Sequence, residues 1–100
     1  MNRAVLLDAA FTSVNLTSDD YYTPSGDQTV AVFCAATQAG KLRVYYLDPA
    51  GTPQKVGEDV AIAAGGMNTF AAPYNLPRLR CVFDPDGSDL GHVTIEVVSA

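Results

Sequence analysis

Few residues in this chain have types suited to chemistry: one histidine, two cysteines and eleven carboxylates. The densest acidic run is Asp84-Pro85-Asp86-Gly87-Ser88-Asp89, whose carboxylates Asp84, Asp86 and Asp89 form the weak candidate for a bound cation. Its glycine comes two places too early for an EF-hand loop, and no bidentate glutamate follows. The same Asp-Pro-x-Gly pattern occurs at Asp48-Pro49-Ala50-Gly51, where no second acid is present. Both runs match a type I turn at the end of a strand. The Asp carboxylate accepts a backbone N–H at the first position, proline sets φ at the second, and glycine fills the fourth. The expectation is two surface turns, with no metal and no cofactor.

Other catalytic arrangements find little support. His92 lies at the mouth of an alternating segment, and no serine sits in a Gly-x-Ser-x-Gly elbow, so neither a Ser-His-Asp nor a Cys-His site is expected. Asp19 and Asp20 point to opposite sides of an extended chain and cannot flank one bond as an acid/base pair; they read as a solvated loop. Gly65-Gly66 lacks the lysine and the strand-loop-helix setting of a phosphate loop and reads as a turn. Cys34 and Cys81 fit no metal or redox spacing and are read as reduced core thiols, near one another without a bond. The sequence therefore points away from an enzyme.

The frame that must position these residues is small. One hundred residues make one domain, spanning residues 1–100, and 48% apolar against 17% charged residues predicts a folded chain. A net charge of −5 with no basic run argues against nucleic acid as a partner. The apolar run Ala4 to Leu7 is stopped by Asp8, too short for a membrane span or a signal-peptide core, which predicts no membrane contact and a chain made and kept in a cytoplasm.

Alternation with period two is clearest over residues 29–37, 42–48, 78–84 and 92–99. Leu42, Val44 and Tyr46 share one phase, as do Leu79, Cys81 and Phe83, and Val93, Ile95 and Val97. The segment from Thr29 to Thr37 is apolar on both phases and reads as a central strand covered on both sides. Weaker strands are expected over 11–17, 54–62 and 67–73, with Gly65-Gly66 as a hairpin turn between the last two; a short helix over 58–64 is the competing reading there. Pro73 and Pro77 bracket a connecting loop. The fold class is all-β, a single antiparallel β-sandwich or jelly-roll-like domain of seven to eight strands, with residues 1–10 an extended N-terminal arm or an edge strand. Phe33, Tyr45, Leu47, Val82 and Val98 fall on the phase that should be wet, among Arg43, Arg80 and Glu96. Arg43, Tyr45, Leu47, Arg80 and Val82 are the expected protein interface, since a large apolar patch is seldom left bare; otherwise they belong to the core of the second sheet.

The stretch GGMNTFAAPYNLPRLRCVF and the closing VTIEVVSA, in a small acidic all-β chain, resemble the small β-sandwich virion proteins of tailed bacteriophages. The likeness centres on residues 65–100. It implies a capsid decoration (cement) protein or another accessory part of the virion, made in the host bacterial cytoplasm, docked on the major capsid protein and homo-oligomeric, with a trimer favoured. It brings no active site, and Cys81 stands where an aliphatic residue would serve. The competing class is a carbohydrate-binding β-sandwich module of a fibre or an enzyme. Such modules present aromatic platforms; this chain has no tryptophan, and Tyr21, Tyr22 and Tyr74 are its loop candidates.

Overall fold

The computed structural model describes residues 1–72 and 76–100; Tyr74 and the Pro73 end of the expected loop lie outside them. The chain order is β1 (Asn2–Phe11), β2 (Leu16–Thr17), β3 (Tyr21–Tyr22), β4 (Val30–Ala36), β5 (Gly40–Leu47), β6 (Pro53–Lys55), β7 (Val60–Ile62), β8 (Met67–Ala72), β9 (Arg78–Pro85) and β10 (Gly91–Ser99). Two antiparallel sheets pack as a β-sandwich. One runs β1-β10-β4-β8; in the other β9 and β5 pair at the centre, with β2 and β3 along the far side of β9 and β6 and β7 along the far side of β5.

The four strongly alternating segments form β4, β5, β9 and β10. Val32, Cys34, Leu42, Leu79, Cys81, Phe83, Val93, Ile95 and Val97 are all wholly buried, on the phases that the alternation assigns to the interior. β1 is the edge strand beside β10, and a bulge leaves Leu6 between the Val5–Glu96 and Leu7–Ile95 pairs, with Leu6 buried. The expected double cover of β4 is corrected: it is central, between β10 and β8, but Ala31, Phe33 and Ala35 are only half-buried.

Among the described residues ten strands form where seven or eight were expected, because the partners of the long strands are broken into short pieces. The segment 11–17 is not one strand: Phe11 ends β1 and pairing resumes at Leu16. The segment 54–62 breaks around Val56, which turns into the core, and Gly57, at φ +69°. No helix forms over 58–64, since Val60, Ala61 and Ile62 pair with Leu42, Lys41 and Gly40. Gly65-Gly66 is a turn but not a hairpin, because it carries the chain from β7 in one sheet to β8 in the other.

The two Asp-Pro-x-Gly runs do different things. At Asp48 the expected turn forms: Gly51 N–H donates to the Asp48 carbonyl at 2.8 Å, and the Asp48 carboxylate accepts from the N–H groups of Ala50 and Thr52. Asp84 and Pro85 instead remain inside β9, opposite Lys41 and Gly40, and the chain turns away only at Asp86. Arg43 accounts for the difference, because it donates to the Asp84 carboxylate at 2.8 Å and removes it from any local turn. A proline closing the strand has no N–H to supply.

At the end of the sandwich nearest this turn the rings of Phe11 and Phe83 meet at 5.0 Å and 58°. Each lies against a glycine: a Cβ on Gly40 would come within 2.6 Å of Phe83 Cζ, and one on Gly91 within 2.5 Å of Phe11 Cζ. Gly40→Ala and Gly91→Ala should each cost about 1–3 kcal/mol by overpacking. Gly87→Ala, where nothing lies within 4 Å, should stay within about 0.5 kcal/mol. Denaturant melts of the three variants check this ordering.

Cys34 and Cys81 are free thiols, both fully buried. Burial pushes Cys34 up to about 11 and Cys81 up to about 12. Both are raised above the unfolded value of roughly 8.5, so their contribution to stability is complete below that pH and is lost as pH rises through the folded values. Stability should decline above about pH 9, and a thiol reagent at neutral pH should modify neither cysteine until the chain is unfolded.

Candidate functional site

The residues expected to form an interface are placed by β5 and β9. Between buried Leu42 and Val44, β5 turns Lys41, Arg43 and Tyr45 outward; between buried Leu79, Cys81 and Phe83, β9 turns out Arg78, Arg80, Val82 and Asp84. Register puts Arg43 opposite Val82 and Tyr45 opposite Arg80, so Arg43, Tyr45, Arg80 and Val82 form one contiguous block on the outer face of the six-stranded sheet.

Leu47 is corrected. It is 7% exposed and lines a groove with Pro49, Pro77 and Arg78 beside the Asp48 turn rather than presenting itself on the face. The wider apolar patch also divides. Phe33 and Val98 keep the outward phase but belong to the four-stranded sheet, flanking Glu96, and so lie on the opposite side of the sandwich from Tyr45 and Val82. Period two assigns a residue to the inside or the outside of its own sheet; it does not say which sheet a strand joins.

Ion pairs hold the six-stranded face. Arg43 donates to Asp59 at 3.2 Å and to Asp84 at 2.8 Å, Lys55 pairs with Asp59, and Lys41 lies 3.7 Å from Asp86. The three carboxylates of the candidate cation site are therefore not gathered: Asp84 serves Arg43, Asp86 faces Lys41, and Asp89 is exposed. Among the described residues no cluster of three or more His, Cys, Asp or Glu is arranged to hold a metal ion.

Asp20, expected in a solvated loop, is the residue the sequence reading missed. Its side chain is 16% exposed and accepts from both Arg78, at 2.6 and 3.0 Å, and Arg80, at 2.7 and 3.2 Å. Its position follows from the break between β2 and β3. There Ser18 takes the place of a ladder residue, donating its N–H to the Cys81 carbonyl at 2.8 Å and accepting the Cys81 N–H on its hydroxyl at 2.9 Å. Arg78 and Arg80 share one phase of an alternating segment, a signal that they need a common acid; the nearest on that phase, Asp84, is taken by Arg43, and the acid that serves them, Asp20, is 58 residues away from Arg78.

The remaining candidates are placed as follows. His92 is exposed and pairs with Asp8 across β10 and β1. Tyr21 is buried, donating its hydroxyl to Ser99 at 2.6 Å. Tyr22 is 65% exposed, and the Arg78 guanidinium stands 5.2 Å over its ring. Tyr21 therefore offers no stacking surface, and one face of Tyr22 is already occupied.

No protein-family model and no curated protein matches the chain. Among solved structures, the crystal structure of the PBSX exported protein XepA matches with a TM-score of 0.65 at 15% identity, covering 99% of this chain and 37% of that one. The chain thus spans little more than a third of that protein's length, and at this identity the likeness shows a shared fold.

The hydrogen bonds from Arg80 and Arg78 hold the Asp20 carboxyl below its ordinary value. A depressed carboxylate contributes stability that is present above the unfolded value, roughly 3.9, and lost as pH falls through the folded one. Asp20→Asn should cost about 1.5–3 kcal/mol at pH 7 and flatten the acid limb of the stability curve below about pH 4. Urea melts from pH 2 to 7 test both.

Proposed function

We propose that this chain is a non-enzymatic structural component of a tailed-bacteriophage particle or phage-like element. In the finer reading it is a capsid decoration (cement) protein that docks on the major capsid protein. The observation that carries the proposal is the fold match over 99% of the chain to an exported protein of the PBSX phage-like element. The outer face of the six-stranded sheet supports it, with Tyr45 and Val82 half-buried between arginines held in place by acids. Aromatic and arginine side chains are enriched in protein interfaces, and an arginine already fixed by an ion pair loses little freedom on binding. The non-enzymatic part rests on how the reactive groups are used. Asp20 and Asp84 are bound to arginines, His92 to Asp8, and both thiols are buried. A standard contact would cover roughly 800 Å² per partner, and a homo-oligomer, with a trimer on a local threefold as the favoured form, would strengthen it by avidity.

Particles induced from the strain that carries the gene, banded on a density gradient, should contain the chain by mass spectrometry. Purified protein should also rebind to particles stripped of their accessory proteins. A Tyr45→Glu, Val82→Glu double variant should remain folded by circular dichroism and lose rebinding. Absence from the particles together with failure to rebind overturns the proposal, and saturable binding to host polysaccharide in its place favours a carbohydrate-binding module.

A further inference from the structure

Charge is unevenly distributed over the sandwich. Of the six Lys and Arg in the chain, five (Lys41, Arg43, Lys55, Arg78 and Arg80) stand on the outer face of the six-stranded sheet; the sixth, Arg3, pairs with Glu96 on the other sheet. Four of the eleven acids pair with these five cations: Asp20, Asp59, Asp84 and Asp86.

Within the face the balance differs from one end to the other. Lys41, Arg43 and Lys55 are matched one for one by Asp86, Asp84 and Asp59. Arg78 and Arg80 share a single ion-paired acid, Asp20, so two guanidinium groups divide one carboxylate, with Asp48 lining the groove beside Arg78. Both bind Asp20 through Nε and Nη2, and neither Nη1 has a partner among the described residues. The side chains keep 35% and 32% of their surface exposed, next to Tyr22, one face of whose ring Arg78 covers.

We propose that Arg78 and Arg80, held side by side by Asp20 next to Tyr22, form a recognition site for a carboxylate presented by a partner protein. This rests on the docking reading above and names the chemistry of the partner at one end of that face. A guanidinium is a planar fork of donors that fits a carboxylate, and Asp20 fixes two such forks before binding, so little side-chain freedom remains to be lost. Arg43 is excluded from the role because two carboxylates already share it. A side-chain carboxylate fits better than a nucleic-acid backbone, since a chain of net charge −5 repels a long polyanion while a single pair of arginines accepts one local anion.

The probes are a hexapeptide of Asp and Glu with an amidated C-terminus, a neutral hexapeptide with a free C-terminal carboxylate, inorganic phosphate and a DNA duplex. Each is titrated into the full chain at low ionic strength while the arginine Nε–H resonances are followed by NMR. The acidic peptide or the free C-terminus should shift Arg78 and Arg80 saturably and leave Arg43 in place, and the stronger of the two identifies the source of the carboxylate. Arg78→Gln and Arg80→Gln should each weaken binding at least tenfold, whereas Arg43→Gln should change it less than twofold. No saturable shift, an equal shift at Arg43, or tighter binding of phosphate or DNA than of either peptide overturns the site. The site and the docking reading fail separately: an Arg78→Gln, Arg80→Gln variant that enters particles as well as wild type removes the site and leaves docking intact, whereas wild type that neither enters nor rebinds particles removes docking.

Discussion

The alternation of β9 is the constraint on which the rest of the molecule depends. Leu79, Cys81 and Phe83 point inward and are wholly buried, while Arg78, Arg80, Val82 and Asp84 point outward. Burial of each large inward side chain favours the fold by about 1.5–3 kcal/mol. A one-residue slip would reverse every side chain and carry three charged groups into an apolar interior. The register that builds the core therefore also builds the outer face. β9 pairs with β5 on one side and with both β2 and β3 on the other, so core packing, the ion pairs of Arg43 and the clamp on Asp20 all follow from one strand.

Side chains complete what short strands cannot. The ladder beside β9 is interrupted between Thr17 and Tyr21, yet Ser18 keeps the Cys81 backbone satisfied on both its N–H and its carbonyl. The same break frees Asp20 from strict alternation and lets it reach the arginines. The next residue, Tyr21, ties the two sheets together. Its hydroxyl meets Ser99, which donates to Asp27 at 2.7 Å, and Asn2 donates to the same carboxylate at 2.9 Å. A polar network thus closes one edge of the sandwich, while the Phe11–Phe83 contact over Gly40 and Gly91 closes another part of it. Both devices depend on residues far apart in the chain.

The two Asp-Pro-x-Gly runs show how far local reasoning reaches. At Asp48 every interaction lies within six residues along the chain, and the turn is readable from the sequence. At Asp84 the same letters stay in a strand because Arg43, 41 residues away, takes the carboxylate. Leu47 was misplaced for a related reason. Its phase points outward, yet it is buried in the groove that it lines with Pro49, Pro77 and Arg78, and periodicity carries no information about what covers a strand end.

The all-β class, the inward phases of β4, β5, β9 and β10, the Asp48 turn and the outward position of Arg43, Tyr45, Arg80 and Val82 are written in the order of residues alone. Each of these follows from the two-residue repeat of an extended chain or from a turn contained within a few residues. Only the tertiary structure decided which strands share a sheet, and so separated Phe33 and Val98 from Tyr45 and Val82. It alone broke the partner strands into short pieces and brought Asp20 to Arg78 and Arg80, which share its one carboxylate. These outcomes depend on pairings between residues tens of positions apart. Their energies come from burial and charge compensation across the assembled sandwich, and no local pattern of side chains encodes them.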